Sequence, residues 1–206
     1  NKIKIKYIEL TSDYKVTIDN LKKVITPNTK VISLAHVTNV IGDVRPIKEI
    51  SALAHENNIL LVVDGAQSVP HIPVDVKEMD IDFLAFSAHK MCGPTGVGVL
   101  YGKYELLDKL KPTVVGGGMN STFSSDLESE YNSLPHRLEA GTPNIAGVIA
   151  FGKVISYLNN IGMDKIHKYE LELKDYALSR LKENKNIIIY NENAESGIIA
   201  INYKDV

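Results

Sequence analysis

The chain has 206 residues, 44% of them hydrophobic and 23% charged, with a net charge of −2. Those values suit a folded protein with one sizeable core and give no general attraction to nucleic acid or to an anionic membrane surface. Its single cysteine, Cys92, excludes an intrachain disulfide framework and fits a reducing compartment, so a cytoplasmic or organellar location is expected.

Residues 3–9 alternate apolar and polar side chains and read as a half-buried strand. "TIDNLKKVIT" places Ile18, Leu21, Val24 and Ile25 at helical spacing, with Thr17 as N-cap. "TKVISLAHV" is a continuous apolar run and reads as a buried strand. "RPIKEISALAHENN" follows as an amphipathic helix with Pro46 near its first turn. "ILLVVDGAQ", "IDFLAFSAHK" and "VGVLYG" read as three more buried strands. Strands without alternation, separated by helices, predict an α/β sheet covered on both faces.

The second half differs in character. Residues 104–110 read as a short helix, and residues 112–143, rich in Gly, Ser and Asn, as one long loop. Residues 144–159 and 163–183 read as two long helices. "NIIIYN" and "GIIAINY" then start a second, smaller sheet. The division expected is 1–143 for a large domain and 144–206 for the start of a small one. No apolar run is long enough to cross a bilayer, and no signal-peptide pattern opens the chain. "NKIKIKYIEL" begins directly in a strand-like pattern without an initiator methionine, so the chain is read as a piece of a longer protein.

Three of the predicted strands end in polar groups: His36 and Asn39, then Asp64 and Gln67, then Ser87, His89 and Lys90. If those strands are parallel, the groups meet at one edge, where open α/β sheets bind ligands. Asp64 there is either ligand-facing or a helix cap. Singly, His36 and Asn39 read as loop residues. A lysine at a turn is ordinarily a surface group. Beside apolar walls, however, its amine loses protonation and becomes a nucleophile fit for a Schiff base. "GPTGVG" lacks the Gly-Lys-Ser/Thr ending of a P-loop, and its glycines suit a tight backbone path beside a cofactor. Cys92 reads as a small buried hydrophobe.

The order Asp-Gly-Ala-Gln then Ser-x-His-Lys resembles the site of the class V aminotransferase family, pyridoxal-phosphate enzymes of fold type I. "HVTNVIG", "VVDGAQSVPHIPVDV", "DFLAFSAHKMCGPTGVGVLYG", "GGGM" and "RLEAGTPN" are most similar to cysteine desulfurases of the SUF type. The resemblance runs from Ile3 to the end of the chain. It implies a mostly parallel sheet with helices on both faces, followed by a smaller α+β domain. It implies pyridoxal 5'-phosphate as cofactor, Lys90 as its Schiff-base lysine and proton shuttle, and Asp64 as partner of the pyridinium nitrogen. Gln67 and Asn39 would lie near the phenolic oxygen. Ser87 and His89 would hold the phosphate, and Thr142 would reach the phosphate of the neighbouring subunit in a homodimer.

The implied activity is that of a sulfurtransferase. L-cysteine becomes L-alanine, and the sulfur passes as a persulfide to an acceptor protein of iron–sulfur cluster assembly. Neither nucleic acid nor membrane is expected as a partner. The family's Gly-Thr-Thr phosphate loop, ring-stacking histidine, carboxylate-binding arginine and mobile sulfur-accepting cysteine have no counterpart in this sequence. His36 belongs to the "HVTN" motif and Cys92 follows the lysine, so neither fills those roles. The chain by itself is therefore expected to have little or no desulfurase activity. Selenocysteine lyases, kynureninase-like hydrolases and aminotransferases share the same lysine core and remain alternatives. A non-catalytic structural or interaction module is a further one.

Overall fold

The structure, a computed structural model, describes residues 3–123 and 129–204. α1 (Ile18–Val24) begins where Thr17 Oγ1 accepts the Asn20 amide at 3.2 Å. Asp19 in its first turn and Lys22 and Lys23 in its last suit the helix dipole. β1 (Val31–Ala35) leads to α2 (Ile47–Glu56), which starts directly after Pro46. α2 buries Ile47, Ile50, Ser51 and Ala54, a helical i, i+3, i+4, i+7 stripe. β2 (Leu60–Asp64) and β3 (Phe83–Ser87) follow, and β4 (Gly98–Gly102) closes the sheet in the order β1-β2-β3-β4.

β1, β2 and β3 are parallel, with Ala35 opposite Asp64 and Asp64 opposite Ala85. β4 returns antiparallel to β3, pairing Ser87 with Gly98. The core joins Ile32, Leu34, Leu61, Val63 and Leu84 of the strands to Leu21, Ile47, Ile50 and Ala54 of α1 and α2. Burial alternates along β1 and β2, so Val31 and Leu60 stay exposed although their runs are continuously apolar. β4, expected to be buried, is exposed over Gly98–Leu100, where among the described residues it pairs only with β3.

Two further expectations are corrected. Residues 3–9 form no strand: no neighbour among the described residues offers a ladder, and Ile3 and Tyr7 are 90% and 83% exposed. Alternation sets which face a strand would bury, but pairing makes the strand. The predicted long loop 112–143 holds a hairpin of β5 (Asn120–Phe123) and β6 (Ser129–Tyr131) and a 3-10 turn at His136–Leu138. The short helix α3 (Tyr104–Leu107) precedes it.

α4 (Ile145–Ile161) starts at Asn144, whose Oδ1 accepts the Gly147 amide at 3.0 Å. α5 (Met163–Leu181) follows after Gly162 with a 72° bend. Among the described residues, no single helix is long and apolar enough to cross a membrane. β7 (Ile187–Ile189) and β8 (Ile201–Tyr203) then pair antiparallel as the expected second sheet.

Candidate active site

The parallel register places the ends of β1, β2 and β3 side by side. Asp64 is the last residue of β2, and its main-chain oxygen accepts the His36 amide at 2.9 Å. Ala85 lies beside Asp64, and Ser87 ends β3 in the next pleat. The chain then turns at once into a 3-10 helix, Ala88–Met91, which carries His89 and Lys90. His89 and Lys90 are exposed and Ser87 is half-buried. A primary amine, an imidazole, a hydroxyl and a carboxylate thus share one edge.

Asp64 caps no helix, because β2 runs into a turn. Oδ1 accepts the Ala66 amide at 2.9 Å, a local turn. Oδ2 has no partner among the described residues and remains available to a cation or an N–H donor. Gly65 donates to Ala85 O at 2.8 Å, so the chain leaves β2 pressed against β3. A Cβ at Gly65 would lie 2.7 Å from Leu84 Cδ1. Gln67, half-buried, follows on the turn that Ser68 fastens to Gly65.

Asn39 is exposed on the turn of the loop after β1. His36, in the same loop, is 3% exposed and its Nδ1 has no hydrogen-bond partner. Burial pushes its imidazole down to about 4, so it is neutral at ordinary pH. Arg45 Nη1 closes the end of β1 from behind by donating to Ala35 O at 3.2 Å.

The Lys90 turn is fixed from below. Ala88 and Met91 pack with Phe151 and Leu158 of α4. Gly93 is required here: a Cβ would lie 2.7 Å from Ala88 O and 3.1 Å from the Phe151 ring. The tight path expected of "GPTGVG" is thus set by protein neighbours. Cys92 corrects another expectation, because it is exposed rather than buried. It closes the 3-10 turn in the left-handed region at φ 59°, which lifts it off the core.

Thr142 is exposed between Gly141 and the start of α4. Gly141 donates to Gly117 O at 2.9 Å, joining the "GGGM" and "EAGTPN" segments. Arg137 holds the same segment to the end of α3 through Leu107 O, at 3.2 Å, and Asp108. Asn144 neighbours Gly96 of the Lys90 loop, so Thr142 lies in the segment that borders it. Two buried side chains that no sequence motif marks, Asn191 and Ser196, bond to the loop bearing Asn39.

The family described as Aminotransferase class-V matches residues 1–206. The chain is 44% identical over 200 residues to a probable cysteine desulfurase of Halalkalibacterium halodurans, covering 97% of this chain and 49% of that one. It is 41% identical over 204 residues to a cysteine desulfurase of Haloferax volcanii, covering 98% and 48%. The crystal structure of the cysteine desulfurase CsdA from Escherichia coli superposes with a TM-score of 0.92 at 35% identity, covering 97% of this chain and 49% of that chain. The chain therefore spans about half the length of the relatives it matches. The family match spans the whole chain and the superposition agrees with it, so the chain belongs to the class-V aminotransferase family.

Proposed function

We propose that the chain forms the cofactor-holding part of a pyridoxal-phosphate-dependent cysteine desulfurase. The whole enzyme takes L-cysteine to L-alanine, works as a homodimer and hands sulfur to an acceptor protein for iron–sulfur cluster assembly. The observation that carries this reading is the register of Asp64 with Ala85, which sets a free carboxylate oxygen beside the strand leading into the Lys90 turn.

The donor set fits the cofactor. An amine can capture an aldehyde, a free carboxylate oxygen can hold a protonated ring nitrogen, and a hydroxyl and an imidazole can hold a phosphate. When bound, pyridoxal phosphate supplies an electron sink for the carbon that bears the substrate amine. Lys90 would hold the cofactor through Nζ, and the same amine would hold or move a proton there. Asp64 would hold the ring nitrogen in its protonated form through Oδ2. Ser87 and His89 would bind the phosphate, Gln67 and Asn39 would orient the ring at its phenolic oxygen, and Thr142 would serve the phosphate site of a second copy. The sulfur would pass to a thiolate other than Cys92: the S–S bond forms as the C–S bond breaks, and the carbon keeps the electron pair, for which the cofactor would be the sink.

The test is a visible absorbance spectrum with added pyridoxal phosphate, for the wild type and Lys90→Ala. A Schiff-base band present only in the wild type is expected. No band in the wild type, or the same band in Lys90→Ala, overturns the assignment. Little alanine is expected from L-cysteine with this chain alone.

A further inference from the structure

Residues 37–44 form a closed loop at the end of β1. Val37 and Val44 pair in an antiparallel bridge. Thr38 N donates to Asp43 O at 3.2 Å, Asp43 N donates to Thr38 Oγ1 at 3.1 Å, and Gly42 N donates to Thr38 O at 3.1 Å. Asn39 sits in the turn of this loop, two residues before Ile41.

The carbonyls at the tip are taken up from far along the chain. Asn191 Nδ2 donates to Ile41 O, and also to Ile198 O at 2.8 Å. Ser196 Oγ donates to Gly42 O at 2.7 Å. Asn191 and Ser196 are buried, at 5% and 3% exposure. The approach is close: Gly42 has φ 71°, and a Cβ there would lie 2.8 Å from Ile198 Cβ. The anchors are themselves held. Asn191 Oδ1 accepts the Ala200 amide at 2.8 Å, and the buried Lys174 of α5 donates to Asn191 O at 3.3 Å and to Ala194 O. The tip of the Asn39 loop therefore rides on α5 and the approach to β8.

Burying an amide and a hydroxyl is costly unless both are paired, and apolar side chains could fill the same space without that cost. What the polar pair adds is direction, because hydrogen bonds fix the two carbonyls far more narrowly than contact with Ile198 would. We propose that Asn191 and Ser196 are positioning residues that set where Asn39 stands at the ligand edge, so that a shift of α5 and β8 against the sheet is passed on to Asn39. This rests on the reading of Asn39 as a group at the phenolic oxygen of the cofactor.

The full chain is reconstituted with pyridoxal phosphate, and its visible band is titrated against pH in the wild type, Ser196→Ala, Asn39→Ala and the double variant. A donor at the phenolic oxygen favours the form that lacks the shared proton, so a displaced Asn39 raises the midpoint. Ser196→Ala is expected to raise it by about 0.5 pH unit or more, a fraction of one hydrogen bond. In the Asn39→Ala background the same substitution is expected to add nothing, because the effect runs through Asn39. Asn191→Ala, judged in the same way, provides a second variant. Equal midpoints in the wild type and Ser196→Ala, or a shift that persists without Asn39, overturn the inference. No Lys90-dependent band at all overturns the reading beneath it, and the inference with it.

Discussion

The Asp64 carboxylate accepts the Ala66 amide at 2.9 Å through Oδ1 alone. One oxygen shapes the turn out of β2, and the other has no partner among the described residues. The two roles separate by substitution. Asp64→Asn keeps an acceptor for Ala66 and removes the charge. It is expected to change the unfolding free energy by less than about 0.5 kcal/mol, whereas Asp64→Ala loses about 1 kcal/mol. Both are expected to weaken pyridoxal phosphate binding roughly tenfold or more, since a charge-assisted bond is lost in each. Urea unfolding and a cofactor titration followed by absorbance measure the two effects. Equal stability loss in both variants would assign the turn to something other than the acceptor.

Gly42 has no room for a side chain. A Cβ there meets the Ser196 hydroxyl and Ile198, and φ 71° already disfavours an L residue. Gly42→Ala is expected to cost about 1–3 kcal/mol from strain and overpacking. Faster amide exchange confined to residues 37–44 should accompany the loss. Urea denaturation checks the first expectation and exchange mass spectrometry the second.

His36 gives the chain an acid-sensitive element. Burial holds its imidazole at about 4, against the ordinary 6.5. Between those values the unfolded chain binds the proton and the folded chain does not, so stability falls as pH falls. Over the full window the loss approaches about 3 kcal/mol. Asp43 works in the opposite direction, because burial raises its carboxyl despite the nearby Arg45. The comparison is therefore between wild type and His36→Gln. The variant is expected to lose distinctly less stability between pH 7 and pH 4.5 in urea unfolding. Equal losses would place the acid sensitivity elsewhere.

The three parallel strands were legible because each is an apolar run closed by a polar group, and a sheet edge needs both. Asp64, Ser87 and Lys90 could be grouped from sequence for that reason, and the parallel register brings their strand ends together. Residues 3–9 misled because alternation is visible in sequence while a pairing partner is not. Cys92 misled for a related reason: its side-chain chemistry suggests burial, but a left-handed turn residue after a 3-10 helix points away from the core. Asn191 and Ser196 left no local signal at all. Their acceptors, Ile41 and Gly42, lie 150 and 154 positions away. Only the folded chain brings them together.

At the opposite end of the sheet, Asp82 is held by groups from three segments. Its side chain is 4% exposed and accepts the Leu61 amide at 2.8 Å. Lys103 Nζ lies 2.8 Å from Oδ1, and His55 Nε2 lies 3.0 Å from Oδ2. Burial pushes this carboxyl up, but the bonds from Lys103, the Leu61 amide and His55 outweigh it and hold the group below its ordinary 3.8. The stability it contributes is therefore present above that value and is lost as pH falls through the lowered one. Asp82→Asn leaves Lys103 half-paired beside Asp80 and removes the charge between β2 and β3. A loss of about 2 kcal/mol is expected in urea unfolding at neutral pH, as for lost hydrogen bonds to a charged group, because Lys103 is partly exposed and keeps Asp80. Because Asp82 precedes β3 while Lys90 follows it, the Schiff-base band of the folded variant should keep its wild-type position and midpoint. A displaced band would mean that strain at the base of β3 travels the length of the strand to the Lys90 turn, and the separation of stability from chemistry along this sheet would fail.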